Sequence, residues 1–117
     1  MKVTFGTLKI HDKLNSLVWQ EFSIKPAVRE HLLKIAEEFY KFLDIDAPVK
    51  DIKFTGSLAN FNYTPKSDID LHLVVNFENV DENLDFVKKY LDTTKNLWNR
   101  SHGITVHGFD VEVYVEN

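Results

Sequence analysis

The chain has 117 residues, no cysteine and a net charge of −4 at pH 7. This length is enough for one compact domain. The negative charge argues against a broad basic surface for long nucleic acids but is compatible with a small nucleotide site. The lack of cysteine excludes disulfides and zinc–thiolate sites. No apolar run reaches the roughly 18 residues of a membrane span, and the N-terminus lacks a signal-peptide core. We therefore expect one cytoplasmic domain over residues 1–117, without a membrane segment.

Residues 1–24 are expected to form an N-terminal extension and residues 25–117 the core of the domain. Weak alternation of apolar residues in positions 1–8 indicates a short strand. An apolar patch follows this segment, and we expect it to pack onto the domain. The patch consists of Leu14, Leu17, Val18 and Trp19.

A first helix is predicted to begin at Pro26, because proline in the first helical position loses no helical hydrogen bond. Apolar residues follow at helical spacing, and charged residues occupy the opposite face. The segment 44–48 ends this helix, which is expected to cover one face of a sheet. The apolar positions are Val28, Leu32, Ile35, Ala36, Phe39, Phe42 and Leu43.

A second helix is predicted over residues 82–99, with Asp81 as its cap. Its apolar stripe is expected to pack on the same sheet, and Trp98 is interpreted as a core residue. The stripe consists of Leu84, Val87, Leu91 and Trp98, with Tyr90 and Leu97 beside it.

Strands are predicted at residues 52–54, 69–77, 104–106 and 109–115. The alternation slips at His107-Gly108, which indicates a bulge or a two-residue turn. We expect an α/β (α+β) domain with a small mixed sheet and both helices packed on one face. The strands that start near Ile52, Ile69 and Phe109 should be neighbours.

Two aspartates, Asp68 and Asp70, stand at the start of the most apolar strand. Side chains two positions apart share one face of a strand, so both carboxylates point to one side and Ile69 and Leu71 to the other. Like charges on one face repel, and a bound divalent cation removes this repulsion. Mg²⁺ prefers one or two carboxylates together with substrate phosphates. The pair is therefore a candidate metal site.

The pair Gly56-Ser57 follows the strand 52–54 and precedes a turn or short helix that extends to Asn62. A strand, a Gly-Ser pair and a helix start aim backbone N–H groups at a phosphate. Alone, such a pair is typical of an ordinary turn with a helix cap. Its place shortly before Ser67-Asp68-Ile69-Asp70 favours a phosphate site.

This combination resembles the nucleotidyltransferase superfamily that includes DNA polymerase beta. Members of that superfamily carry a glycine-serine after a strand, then two acids flanking an apolar residue, and a third acid on a later strand. The corresponding segments here are Gly56-Ser57, Asp68-Ile69-Asp70 and residues 109–113. The stretch GSLANFNYTPKSDIDLHLVV and the segment 25–30 are more closely similar to small predicted nucleotidyltransferases of large bacteriophages.

The resemblance implies transfer of a nucleoside monophosphate from a nucleoside triphosphate to an acceptor hydroxyl, with release of pyrophosphate. It implies that Asp68 and Asp70 hold Mg²⁺ or Mn²⁺, and that Ser57 and the N–H groups after it bind the β- and γ-phosphates. The residues expected to bind the nucleotide are Gly56, Ser57, Asn60 and Ser67.

The third acid is ambiguous, because Asp110 and Glu112 share one face of the last strand and both have apolar neighbours. The similarity to the phage proteins favours Glu112 as the third catalytic and metal-binding residue, with Asp110 as the alternative. A half-exposed strand with polar residues on its solvent-exposed face would show the same pattern. His72 continues the Asp68–Asp70 face and is either a substrate contact or a polar neighbour.

The acceptor stays open among an RNA end, a protein and a small molecule. Many superfamily members add a helical domain that grips the base and the acceptor, and none follows the third acid here. A homodimer or a helical partner chain is therefore an open way to complete the site. The alternative function is a catalytically silent nucleotide-binding or regulatory module that acts with a partner chain. The third hypothesis is a structural domain in which these acidic residues are only part of the polar surface.

Overall fold

The computed structural model describes residues 15–20, 23–56, 63 and 67–117. The strand expected in residues 1–8 and the position of Leu14 lie outside these residues. The elements are β1 (Trp19–Gln20), β2 (Ser23–Ile24), α1 (Pro26–Leu43), β3 (Val49–Thr55), β4 (Ile69–Val75), a 3₁₀ turn (Phe77–Asn79), α2 (Leu84–Ser101), β5 (Thr105–Val106) and β6 (Phe109–Glu116).

A four-stranded mixed sheet with the order β3-β4-β6-β5 forms the centre of the domain. β4 pairs antiparallel with β3 and parallel with β6, and β5 pairs antiparallel with β6. Parallel neighbours need a crossover connection, which α2 supplies between β4 and β6. The predicted fold class is confirmed, and so is the prediction that the strands near Ile52, Ile69 and Phe109 are neighbours.

The alternation of apolar and polar residues gives this sheet one buried and one polar face. On β4, every second residue from Ile69 to Val75 is at most 2% exposed, whereas Asp70, His72 and Val74 are half-buried. α1 and α2 pack on the buried face and share one apolar core with β4 and β6. Burial of apolar surface, at roughly 25 cal/mol per Å², is the main favourable contribution to the stability of this arrangement.

α1 begins at Pro26 as predicted and ends at Leu43, and the following residue, Asp44, adopts a left-handed conformation with φ 54°. Its predicted stripe is buried except for Phe42, whose side chain lies against the ring of Trp98. Trp98 is itself 4% exposed, so its interpretation as a core residue is confirmed. Within the described ranges, neither helix has the length and apolar character needed to cross a bilayer.

The predicted start of α2 is wrong by two residues. Asn83, and not Asp81, is the N-cap: its side chain accepts a hydrogen bond from the N–H of Phe86 at 3.2 Å. Asp81 instead accepts the N–H of Asn83 at 2.9 Å, so its carboxylate is used in the turn before the helix. Leu84 therefore stands at the first helical position and is exposed rather than part of the apolar stripe.

β4 is shorter than predicted and ends at Val75. The side chain of Asn76 accepts the N–H of Glu78 at 3.1 Å, and this local hydrogen bond starts the 3₁₀ turn. At the other end of the chain, His107 and Gly108 form the expected two-residue turn, with φ of 50° and 80°. Positive φ at both turn positions matches the twist of a tight hairpin.

Asn99 of α2 completes the hydrogen bonding of β6 beyond its short pairing with β5. The C=O of Val113 accepts from Asn99 Nδ2 at 3.0 Å, and the N–H of Val113 donates to Asn99 Oδ1 at 3.0 Å. Val113 is completely buried, so these two backbone groups depend on a partner from the protein. The same amide ties the end of α2 to β6 one residue from Glu112.

We expect Asn99→Ala to lower the free energy of unfolding by about 1–3 kcal/mol, because it leaves buried backbone groups of Val113 without a partner. The matched control is Asn96→Ala on the same helix, where the residue is exposed and the change should stay within about 0.5 kcal/mol. Urea denaturation of both variants measures the difference. Equal losses would mean that the Asn99 amide does not stabilise β6.

Candidate active site

The acidic residues meet where β3 ends and β4 begins. Asp70 has Thr55 of β3 as its register partner on one side and Glu112 of β6 on the other. Residues in register share a face of the sheet, so Asp70 and Glu112 lie side by side on the polar face. Asp68 precedes β4 directly, and its carboxylate lies close enough to Glu112 and Asp110 to be affected by their charges.

Gly56 is in direct contact with one of these acidic residues, Asp70. It has a φ of 90°, and a Cβ placed on it would lie 2.6 Å from Oδ2 of Asp70 and 3.3 Å from its Cγ. The carboxylate of Asp70 therefore packs against the Gly56 backbone, and no larger residue fits without moving it. Two motif elements that are distant in sequence, the glycine and the second aspartate, are thus adjacent in space.

The remaining expected nucleotide contacts are only partly described. Ser57 and Asn60 lie outside the described residues, and so does the rest of the segment 57–62. Ser67 is 8% exposed, and its place directly before Asp68 fixes it at the start of β4. A nucleotide contact from any of these three residues stays a prediction.

The carboxylates of Asp68, Asp70 and Glu112 concentrate negative charge where β3 ends and β4 begins. Burial raises the pKa of Asp68, and the neighbouring charges of Glu112 and Asp110 raise it further. Burial also raises the pKa of Asp70, with Glu112 and Asp68 adding to the effect and His72 opposing it. None of the ion pairs within the described ranges includes Asp68, Asp70 or Glu112. Partly buried carboxylates of this kind are typical of functional sites.

In the described part of the chain, no three His, Asp or Glu side chains stand close enough to enclose a metal ion. The donor set nevertheless suits Mg²⁺, which binds to proteins through one or two carboxylates and takes its other ligands from water and substrate phosphates. Asp68 and Asp70 are such a pair: burial raises the pKa of each, and neighbouring carboxylates raise it further, an effect that a cation would oppose. The site therefore fits a magnesium ion shared with a phosphate ligand better than an enclosed, protein-only metal cage.

Comparison with protein families matches residues 30–101 to the nucleotidyltransferase domain. The chain belongs to this family. The match covers more than half of the sequence and includes Gly56, Asp68 and Asp70, but it ends before Glu112. No curated protein and no solved structure matches the chain. The predicted resemblance to nucleotidyltransferases is thereby confirmed, and the closer similarity to phage proteins stays a prediction.

The structure distinguishes the two candidates for the third acid of this nucleotidyltransferase domain by position. Glu112 is half-buried and in register with Asp70. Asp110 is exposed and pairs with Thr105 beside the hairpin turn. The geometry favours Glu112, and its role as the third acid stays a prediction.

Tyr114 is a member of the site that the sequence interpretation did not single out. Its hydroxyl donates a hydrogen bond of 2.6 Å to Oε2 of Glu112. This bond, and to a smaller degree burial, holds the pKa of the Tyr114 hydroxyl above its ordinary value. The ring of His72 stacks on the Tyr114 ring at 4.8 Å between centroids. The available signal was the spacing, since Tyr114 follows Glu112 by two residues and shares its face.

We expect Gly56→Ala to lower the free energy of unfolding by about 1–3 kcal/mol through backbone strain and, in addition, to displace the carboxylate of Asp70. The matched control is Gly108→Ala, because Gly108 has a φ of 80° but nothing within 4 Å of its Cβ position. Chemical denaturation measures strain in both variants, and Mn²⁺ titration measures the acidic site. Loss of Mn²⁺ binding in both variants, or in neither, would contradict the contact with Asp70.

We expect Asp70→Asn to leave the metal-free domain equally stable, or more stable by on the order of 1 kcal/mol, at pH 7, because it relieves repulsion near the surface. A carboxyl whose folded pKa is raised contributes stability below its unfolded pKa, and that contribution is lost as pH rises through the folded pKa. The stability advantage of Asp70→Asn over the wild type should therefore shrink as the pH falls toward 3.8, the ordinary pKa of an aspartate. Melting curves with chelator between pH 7 and pH 4 measure it.

The control for this variant is Asp51→Asn. Asp51 lies on β3, in register with Val74 near the end of β4 that is far from Asp70. Its effect should be small at every pH. A large loss of stability in Asp70→Asn would mean that the carboxylate stabilises the fold, and the site would lose its central residue.

Proposed function

We propose that this nucleotidyltransferase domain is an active, metal-dependent enzyme. It would transfer a nucleoside monophosphate from a nucleoside triphosphate to an acceptor hydroxyl and release pyrophosphate. The observation that carries the proposal is the in-register pairing of Asp70 with Glu112, with Gly56 packed against Asp70. This pairing, together with the contact of Gly56, brings together residues that the family resemblance implies as metal-binding acids and as the glycine of a phosphate-binding turn.

In this proposal, Asp68, Asp70 and Glu112 hold Mg²⁺ or Mn²⁺ through carboxylate oxygens, which are the ligands that these hard cations prefer. When bound, the metal supplies charge stabilisation at the reacting phosphate and makes the acceptor hydroxyl more acidic. Binding of a cation would also relieve the repulsion among these carboxylates, which adds to the effect of burial in raising the pKa values of Asp68 and Asp70. Substrate binding and relief of that repulsion are therefore coupled.

The protein residues have two tasks in the reaction, to hold the nucleotide and to accept the proton of the acceptor hydroxyl. By resemblance to the family, Ser57 and the backbone N–H groups after it would bind the β- and γ-phosphates, and Asn60 and Ser67 would contact the nucleotide. The contact of Gly56 with Asp70 places the start of this segment beside the acids. The acceptor oxygen then forms its bond to the α-phosphorus, and the bond from the α-phosphorus to the bridging oxygen breaks. Pyrophosphate takes the electron pair of that bond.

The proton of the acceptor hydroxyl leaves toward the acidic face. In this proposal Glu112 would accept it, since its side chain shares the face of Asp70 as its register partner on β6. General-base assistance of this kind contributes roughly 10²–10⁴-fold to a rate. The acceptor itself stays open among an RNA end, a protein and a small molecule in the cytoplasm.

A second candidate function is nucleotide binding without turnover, as a regulatory module. The observation that favours it is the lack, among described residues, of three acidic side chains grouped tightly enough to hold a metal without substrate. Calorimetric titration with Mg²⁺ and α,β-methylene ATP detects binding in both cases. Transfer of label from [α-³²P]-nucleotides to RNA or protein of a bacterial extract separates them, because only an enzyme releases pyrophosphate.

We expect Glu112→Gln to reduce transfer of label by at least about 100-fold, because it removes both a metal ligand and the proton acceptor. The matched control is Asp110→Asn, which removes the same charge from the exposed neighbour on β6 and should keep most of the activity. Transfer assays with Mn²⁺ and each of the four ribonucleotides measure both. Activity that survives in Glu112→Gln and disappears in Asp110→Asn would exchange the two roles. Binding of nucleotide without transfer in the wild type would favour the regulatory module.

A further inference from the structure

We propose that Tyr114 is a positioning residue of the acidic site, which holds the carboxylate of Glu112 in one orientation beside Asp70. The inference rests on the proposed function, because it assigns Tyr114 a task within that site. Neither the family match, which ends at residue 101, nor the sequence pattern assigns this residue a role.

The first argument is the hydrogen bond itself. The Tyr114 hydroxyl donates to Oε2 of Glu112 at 2.6 Å, a short distance in the range of strong hydrogen bonds to carboxylates. Side chains two apart on a strand point the same way, so the pair needs no backbone distortion to form this bond. One oxygen of Glu112 is thereby held by a side chain of its own strand.

The second argument is that the Tyr114 ring is held by neighbours from two different elements. His72, its register partner on β4, stacks on the ring with an interplanar angle of 21°. The ammonium group of Lys95 on α2 lies over the ring, 4.9 Å from its centroid. These contacts restrict the ring, so the hydroxyl presents its proton to Glu112 from a fixed place.

The third argument is electrostatic. Asp68 and Asp70 repel Glu112, and a free glutamate side chain would rotate away from them into solvent. Screened repulsion between partly exposed charges is weaker than a short hydrogen bond to a carboxylate. Tyr114 therefore opposes the rotation and keeps the carboxylate of Glu112 beside its register partner Asp70.

The test variant is Tyr114→Phe, which keeps the ring and its contacts with His72 and Lys95 and removes only the hydroxyl. We expect kcat for transfer to fall roughly 10- to 100-fold, as for a small misplacement of a reacting group, while KM for the nucleotide stays within about 2-fold. Mn²⁺ affinity, measured by electron paramagnetic resonance with α,β-methylene ATP, should fall about 10-fold, as for lost support of a metal ligand. In a Glu112→Gln background, the same change should have no further effect on Mn²⁺ affinity.

The matched control is Tyr40→Phe, which removes a hydroxyl that donates to the C=O of Ala47 at 2.7 Å, outside the acidic site. It should leave kcat and Mn²⁺ affinity unchanged. A measurement without any variant is the deuterium isotope shift on the carboxyl carbon of Glu112, which reports the hydrogen bond in the wild-type protein.

The outcomes separate this inference from the proposed function. Wild-type protein that neither binds Mn²⁺ with the nucleotide nor transfers label overturns both. A functional wild type with an unaffected Tyr114→Phe variant overturns the positioning role alone. So does a loss of Mn²⁺ affinity that persists in the Glu112→Gln background, or a missing isotope shift. The positioning role is supported by the expected kcat and affinity losses together with their disappearance when Glu112 is changed.

Discussion

The parallel pairing of β4 with β6 places Asp70 and Glu112 side by side, and the rest of the site is arranged around that pair. Its register is not chosen by the acids, which repel each other. A slip of one residue would turn Val111 and Val113 to the polar face and Glu112 into the core. The burial of these apolar residues under α1 and α2 therefore enforces a juxtaposition that is electrostatically unfavourable.

The polar face of the sheet is divided into two halves with different electrostatics. Toward the C-terminal ends of β4 and β6, Lys53 bridges to Glu116 at 3.0 Å, so charge is neutralised within the protein. Around Asp68 and Asp70, the described residues provide no such ion pair, and both pKa values are raised. Natural domains accept local costs of this kind where a ligand has to bind, and the apolar core offsets them. The uncompensated half is the half that contains Asp68 and Asp70, the predicted site residues.

Period-two alternation was sufficient to predict the faces of β4 and β6, because it depends only on neighbouring residues. The turn at His107-Gly108 was predictable for the same reason. The start of α2 was not, since Asp81 and Asn83 are both good caps and their competition is decided by the turn before the helix. The contacts of Gly56 with Asp70 and of Asn99 with Val113 depend on strand register and on the path of the crossover helix. No local pattern in the sequence carries that information.

Asn99 also occupies part of the side of β6 that the short strand β5 leaves without a partner. β6 has eight residues and β5 only two, so within the described ranges most of one side of β6 has no neighbouring strand. Unpaired N–H and C=O groups along such a side are a template for a strand from another chain. The amide of Asn99 on α2 occupies the groups of Val113. A helical side chain thus occupies, at Val113, the backbone groups with which a strand from a second molecule would pair.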